Sequence, residues 1–109
     1  MPPGQEAQAR KFYMGALGLS EVPKPPSLAP RGGAWFSSGT VNVHLGVETD
    51  FRPARKAHPA FVIDDLAAMV ANLRGLGHEV ADPERLEGNL RTFVDDPFGN
   101  RIELTDKAV

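Results

Sequence analysis

The chain passes twice through the same order of elements, and this internal repeat limits its possible folds more than any other feature. A helical pattern comes first, over residues 5–17 and again over residues 66–73. A short strand pattern follows in each copy, and Trp35 in the first copy corresponds to Phe93 in the second at an offset of 58 residues. Each copy then ends in a glycine turn and an alternating strand. The sequence therefore predicts two similar modules joined by a linker.

Both helices are predicted from apolar side chains that recur every three or four residues and so share one helix face. Gly18 ends the first pattern, and Asp64 or Asp65 suits the N-cap of the second. We therefore expect helices that begin near residues 5 and 65. The apolar positions are Ala9, Phe12, Tyr13, Ala16 and Leu17 in the first helix, and Leu66, Met69, Val70 and Leu73 in the second.

The second copy contains one element that the first lacks. Residues 58–63 form a strand-like run before its helix, whereas the first helical pattern begins almost at Met1. We predict one α+β domain over residues 1–109 with a curved, mainly antiparallel sheet, in which the opening strand of the first module is missing or truncated. Module one covers about residues 1–48, the linker 49–57 and module two 58–109. Each copy has a further match after its helix, at Glu21-Val22 and Glu79-Val80.

Composition excludes several classes of protein. The 109 residues carry a net charge of −2 and form no basic patch, so we expect no nucleic-acid partner. No apolar run reaches the roughly 18 residues of a membrane helix. There are no cysteines, so a metal site would need histidine, carboxylate or water ligands, and a cytoplasmic location is expected.

Three side chains on predicted strands could bind a metal ion. His44 and Glu103 lie on the two closing strands, each on the face opposite the apolar residues, and His58 opens the second module. Two histidines and one carboxylate bind divalent metals and leave coordination positions open. The alternative is that each histidine is an ordinary surface or hydrogen-bonded residue, because short ligand patterns have low specificity.

Two motifs resemble the vicinal oxygen chelate superfamily, which includes glyoxalases, bleomycin resistance proteins and dioxygenases. The run Lys11-Phe12-Tyr13 with Leu17-Gly18-Leu19 is similar to its "FY...LGL" motif, and residues 96–104 resemble its closing "DPxGNxIEL" motif. The resemblance covers nearly the whole chain. It implies two βαβββ modules that form a sheet cup around a metal ion, with His58 and Glu103 at ligand positions of the second module. His44 stands where glyoxalase-like members carry Glu or Gln.

The resemblance implies a metal-dependent enzyme that binds a small substrate through two neighbouring oxygens. His44, His58 and Glu103 would hold a Zn, Ni, Mn or Fe ion, and Glu103 is the candidate catalytic residue. The alternative is a metal-free protein that sequesters an antibiotic or another small molecule in the same cup.

Aromatic and cationic side chains are candidates for substrate binding. Trp35 and Phe36 lie on one strand, and Arg91 and Phe93 on the related strand. An arginine would bind a carboxylate or phosphate through two parallel hydrogen bonds. The alternative is that Trp35 belongs to the core and that Arg91 is a surface cation. Because a missing opening strand would expose a sheet edge, we also expect a homodimer.

Overall fold

A computed structural model describes residues 1–107 and divides the chain into two compact units. The first unit is Met1–Arg52 and the second begins at Pro53, so the boundary lies in the linker predicted over residues 49–57. Among residues 1–107 the units contain two longer helical segments, a short 3-10 helix (Ala29–Arg31) and two separate sheets, which confirms the α+β class. No helix among residues 1–107 is long and apolar enough to cross a membrane.

The first unit packs one helical segment against a three-stranded antiparallel sheet. Helix α1 (Glu6–Arg10) continues as a π-helical segment (Lys11–Ala16), and four of the five predicted apolar positions are buried. Phe36 is also fully buried, and its ring stacks on Tyr13 at 5.3 Å between centroids. Phe36 is therefore a core residue, and the expectation that it contacts substrate was wrong. The strands pair in the order β1 (Ser20–Val22), β2 (Ala34–Ser37) and β3 (Asn42–Leu45).

Met1 occupies the place of an opening strand in the first unit. Its amino group donates to the carbonyl of Gly46 at 2.7 Å, and its own carbonyl accepts from the N–H of Glu48 at 2.9 Å. These two hydrogen bonds flank Val47 and form a parallel bridge. Within the described part of the first unit, the sheet has three strands, as the repeat predicted.

The second unit contains a four-stranded sheet and helix α2 (Leu66–Gly75). The Asp65 carboxylate caps the helix, because its Oδ1 accepts from the N–H of Ala68 at 3.0 Å. Both helices begin within one residue of the predicted positions. The strands of this unit are β4 Ala60–Val62, β5 Glu84–Leu86, β6 Asn89–Asp95 and β7 Arg101–Thr105. They lie in the order β4, β7, β6, β5, and β4 and β7 are the pair that runs parallel.

One part of the repeat differs between the two units. Glu21-Val22 lies in β1, but the corresponding Glu79-Val80 lies in no strand, and the first strand after α2 is Glu84–Leu86. The Arg74 guanidinium accounts for the difference, because it donates to the Val80 carbonyl from Nε at 3.1 Å and from Nη2 at 2.7 Å. The chain after α2 is therefore bound to the helix end.

The Asp-Pro-Phe-Gly-Asn run forms the hairpin turn between β6 and β7. Oδ1 of Asp96 accepts from the backbone N–H groups of Phe98 and Asn100, each at 2.9 Å, and Oδ2 accepts from the Asn100 side chain at 2.8 Å. Asp96 is buried, so these bonds satisfy a carboxylate that water does not reach. The turn fixes the register in which Phe93 pairs with Glu103.

Candidate functional site

One face of the second sheet is polar, and the other belongs to the core. Along β6 and β7, Val94, Ile102 and Leu104 are buried on the apolar face. Successive strand residues point to opposite faces, so their neighbours form the other face. We call this the polar face and define it by His58, Arg91, Phe93, Arg101 and Glu103.

Glu103 is the centre of the polar face. Its Oε1 accepts a hydrogen bond from Arg91 Nη1 at 3.2 Å and lies 3.1 Å from His58 Nε2. The side chain of Glu103 is only 9% exposed, against 25% for His58 and 36% for Arg91. A carboxylate with so little access to water needs partners of opposite charge or hydrogen-bond donors. The two neighbours supply them.

The second ring nitrogen of His58 fixes its orientation. Nδ1 lies 2.7 Å from the backbone carbonyl of Lys56, and a carbonyl can only accept, so Nδ1 carries a proton. Nε2 then faces the Glu103 carboxylate, and a proton or another cation must lie between the two atoms to make this contact favourable. A histidine that binds a metal through one nitrogen usually donates from the other to a carbonyl or carboxylate. His58 has this arrangement.

Phe93 provides the surface on which the cations lie. The guanidinium carbon of Arg101 is 3.9 Å from the Phe93 ring centroid, and that of Arg91 is 5.3 Å away. The His58 ring meets Phe93 edge to face, with centroids 5.2 Å apart and an angle of 83°. Both guanidinium distances are within cation–π range. The aromatic ring therefore holds three basic side chains beside one carboxylate.

The first sheet carries a related pair, Trp35 and His44. Trp35 pairs with His44 across β2 and β3, as Phe93 pairs with Glu103 across β6 and β7, so His44 and Glu103 occupy equivalent positions. The Trp35 and His44 rings stack at 3.6 Å with an angle of 2° between their planes. His44 is exposed and Trp35 is half-buried, so Trp35 is not a core residue.

A groove of about 480 Å³ adjoins Trp35 within the first unit. It is bordered by the ion pair of Arg10 with Glu21, in which Nε and Oε2 are 2.9 Å apart. Its volume is in the range of small-molecule sites, although such sites are usually more apolar. Trp35 remains a predicted substrate contact.

Two of the three predicted metal ligands lie together. His58 and Glu103 are in contact in the second unit, while His44 belongs to the first unit. Over residues 1–107, no three histidine, aspartate or glutamate side chains are grouped closely enough to bind one metal ion. The three-ligand set therefore stays a prediction. The donor types of His58 and Glu103 and the 3.1 Å between their atoms suit two ligands of one divalent ion.

Arg101 is the residue of the polar face that was not among the predicted site residues. It lies two positions before Glu103 on β7, so strand alternation alone assigns it to the same face. The sequence therefore indicates the face on which Arg101 lies. It does not indicate the contact of Arg101 with Phe93, because that contact depends on the side-chain conformation of both residues.

The chain is similar to a known protein family and to solved structures. The family model of the Glyoxalase/Bleomycin resistance protein/Dioxygenase superfamily matches residues 3–104. The crystal structure of a glyoxalase family protein from Bacillus anthracis is 44% identical, has a TM-score of 0.91, and is matched over 96% of this chain and 86% of its own. No curated protein matches the chain.

Two more distant structures share the fold. A member of the same superfamily from Sphaerobacter thermophilus is 21% identical with a TM-score of 0.77, over 98% of this chain and 92% of its own. An integron cassette protein from the mobile metagenome of a Halifax Harbour sewage outfall is 20% identical with a TM-score of 0.78, over 94% of this chain and 90% of its own.

Proposed function

Because this chain belongs to the glyoxalase/bleomycin resistance protein/dioxygenase superfamily, we propose that it is a metal-dependent enzyme that acts on a small molecule at His58 and Glu103. The observation that carries the proposal is the contact of His58 Nε2 with Glu103 Oε1 at 3.1 Å, with Nδ1 held by Lys56. His44 is the proposed third ligand. We expect the protein in the cytoplasm.

A divalent ion, Zn, Ni, Mn or Fe, would act as a Lewis acid toward two neighbouring oxygens of the substrate. Glu103 would accept or return a proton, since its carboxylate contacts both His58 and Arg91. Phe93 would limit access of water to that carboxylate, and Arg91 would orient an anionic group of the substrate. The reaction class is that of a lyase, an isomerase or a dioxygenase.

A specific observation favours a second function, metal-free sequestration of a small molecule or drug. Arg91 Nη1 already donates to Oε1 of Glu103 at 3.2 Å, so the carboxylate has a cationic partner without a metal. A guanidinium beside that oxygen also repels a divalent ion. In this alternative, Arg91, Phe93 and Trp35 would bind a planar ligand and no reaction would follow.

Thermal unfolding with and without added metal distinguishes the two functions. Protein first treated with chelator is mixed with Zn, Ni, Mn or Fe(II), for the parent chain and for His44→Ala, His58→Ala and Glu103→Gln. His78→Ala is the matched control, because it removes the remaining histidine, which is not a predicted ligand. A ligand that binds only the folded state at about 100 times its Kd raises Tm by on the order of 10 °C for a domain of this size.

We expect at least one of the metals to raise the Tm of the parent chain and of the control. The same metal should leave the Tm of His58→Ala and Glu103→Gln unchanged. If the metal also raises the Tm of His44→Ala, His44 is not one of the ligands. If no metal raises the Tm of the parent chain, or if His58→Ala and Glu103→Gln respond as the parent does, the metal proposal is wrong and the sequestering function replaces it.

A further inference from the structure

One cation of the polar face, Arg101, has no ion-pair partner among residues 1–107. Arg91 has the Glu103 carboxylate as its partner. Arg101 has none: among residues 1–107 its guanidinium forms no ion pair and donates no hydrogen bond, and its guanidinium carbon lies 3.9 Å from the centroid of the Phe93 ring. Arg101 is nevertheless half-buried. A guanidinium has five N–H donors, and those that water does not reach in a partly buried place lack acceptors unless a ligand supplies them.

Asp95 could have neutralised Arg101 but does not. The two residues are directly opposite in the register of β6 and β7, so their side chains leave the sheet on the same face. Among the described residues, however, no ion pair joins them, and Arg101 lies over Phe93 instead. The cation–π contact limits the motion of the guanidinium and keeps its N–H edge available beside the Glu103 site.

We propose that Arg101, together with Phe93, forms a subsite for a carboxylate group of a planar small molecule. A carboxylate accepts two parallel hydrogen bonds from one guanidinium and lies in the plane of that group. Because Glu103 pairs with Arg91 and no ion pair joins Arg101 to Asp95, the Arg101 guanidinium is free to pair with one carboxylate, and a single guanidinium matches a monoanion better than a phosphate dianion. The planar body of the ligand would extend over Phe93. This inference rests on the proposed function in one respect, since it assigns the substrate class of that site.

Benzoate is a suitable probe, with benzamide as its neutral isostere and inorganic phosphate as the competing anion. Each is titrated at neutral pH into chelator-treated protein, and binding is followed by NMR of the ¹⁵N-labelled chain. The variants are Arg101→Met, which keeps the apolar length of the side chain, and Arg101→Lys, which keeps the charge and loses the planar fork. Arg85→Met is the matched control, because Arg85 is an exposed arginine on the edge strand β5.

We expect benzoate to bind the parent chain and Arg85→Met alike, and Arg101→Met to weaken binding about tenfold or more. Arg101→Lys should fall between them, and Asp95→Asn should bind at least as tightly as the parent. The carboxylate subsite is excluded if benzamide or phosphate binds as well as benzoate, if Arg101→Met binds like the parent, or if benzoate fails to bind at about 20 mM. Because no metal is present, these outcomes are independent of the metal experiment.

Discussion

At the scale of single residues, Glu6 links helix α1 to the chain before β2. Its Oε2 accepts from the backbone N–H of Gly33 at 2.9 Å. That bond lowers the pKa of the Glu6 carboxyl below its ordinary value of 4.5, and a bond from its own backbone N–H lowers it further. Burial opposes the shift, while Arg10 and Lys24 add to it by their positive charge. The ionised form is therefore favoured in the folded state.

A group whose pKa is lower in the folded than in the unfolded state stabilises the fold at high pH and loses that effect as pH falls. We expect Glu6→Gln to be less stable than the parent chain by about 1 kcal/mol at neutral pH, since an amide oxygen is a weaker acceptor. The difference should shrink as pH drops below 4.5, toward about pH 3. Urea unfolding at both pH values measures it. A difference that is constant with pH would contradict the assignment.

Glu103 illustrates why the predicted ligands needed a structure to be interpreted. Its position opposite the apolar face follows from strand alternation, and its contact with His58 follows from the pairing of β4 with β7. The ion pair with Arg91 does not follow from either, because it depends on which conformer a long side chain adopts. The two candidate metal ligands, His58 and Glu103, were therefore predictable from the sequence. The fact that Arg91 and His58 both contact Oε1 of Glu103 was not.

At the scale of elements, the hairpin of β2 and β3 depends on a close approach of two backbones. Gly33 has a φ of +82°, and a Cβ atom at that position would lie 2.1 Å from the carbonyl oxygen of Leu45. Only glycine fits there without moving the strand. Gly39 in the same hairpin has a similar φ of +88° but no atom within 4 Å of the corresponding point.

These two glycines give a matched test. Both alanine variants incur the cost of a left-handed backbone, about 1–2 kcal/mol. We expect Gly39→Ala to lose that amount, and Gly33→Ala to lose at least about 3 kcal/mol, because it also forces β2 away from β3. Denaturant unfolding of both variants provides the comparison. Equal losses would show that the close approach to Leu45 is unimportant.

Strand β5 shows where the sequence carried too little signal. All three residues of Glu84–Leu86 are exposed, so no alternation of apolar and polar side chains marks them. The strand exists because a two-residue turn, Glu87 and Gly88, directs the chain back along β6. Both turn residues have positive φ, +48° and +89°, and glutamate is an unusual residue for that conformation. The helices, by contrast, were predictable because their buried positions repeat regularly.

At the scale of the whole molecule, we expect the assembly to be a homodimer. Among the described residues of the first unit, β3 pairs with β2 along one edge, and its other edge has no strand beside it. Met1 forms hydrogen bonds with Gly46 and Glu48, which lie after the end of β3. Proteins rarely leave such an edge uncovered, and a twofold dimer is the commonest closed assembly. Sedimentation equilibrium at tens of micromolar should give twice the chain mass of 11.8 kDa. A single species of 11.8 kDa over a dilution series would exclude the dimer.

The buried carboxylate of Asp96 has a consequence for how genomes are searched. Its hydrogen bonds to Phe98 and Asn100 shape a bend in the backbone and do not touch the polar face. A query built on that short run therefore retrieves chains that bend in the same way, whatever compound each of them handles. Under the proposed function, the side chains at positions 58, 91, 101 and 103 would sort the retrieved chains by activity, since they take no part in the Asp96 hydrogen bonds.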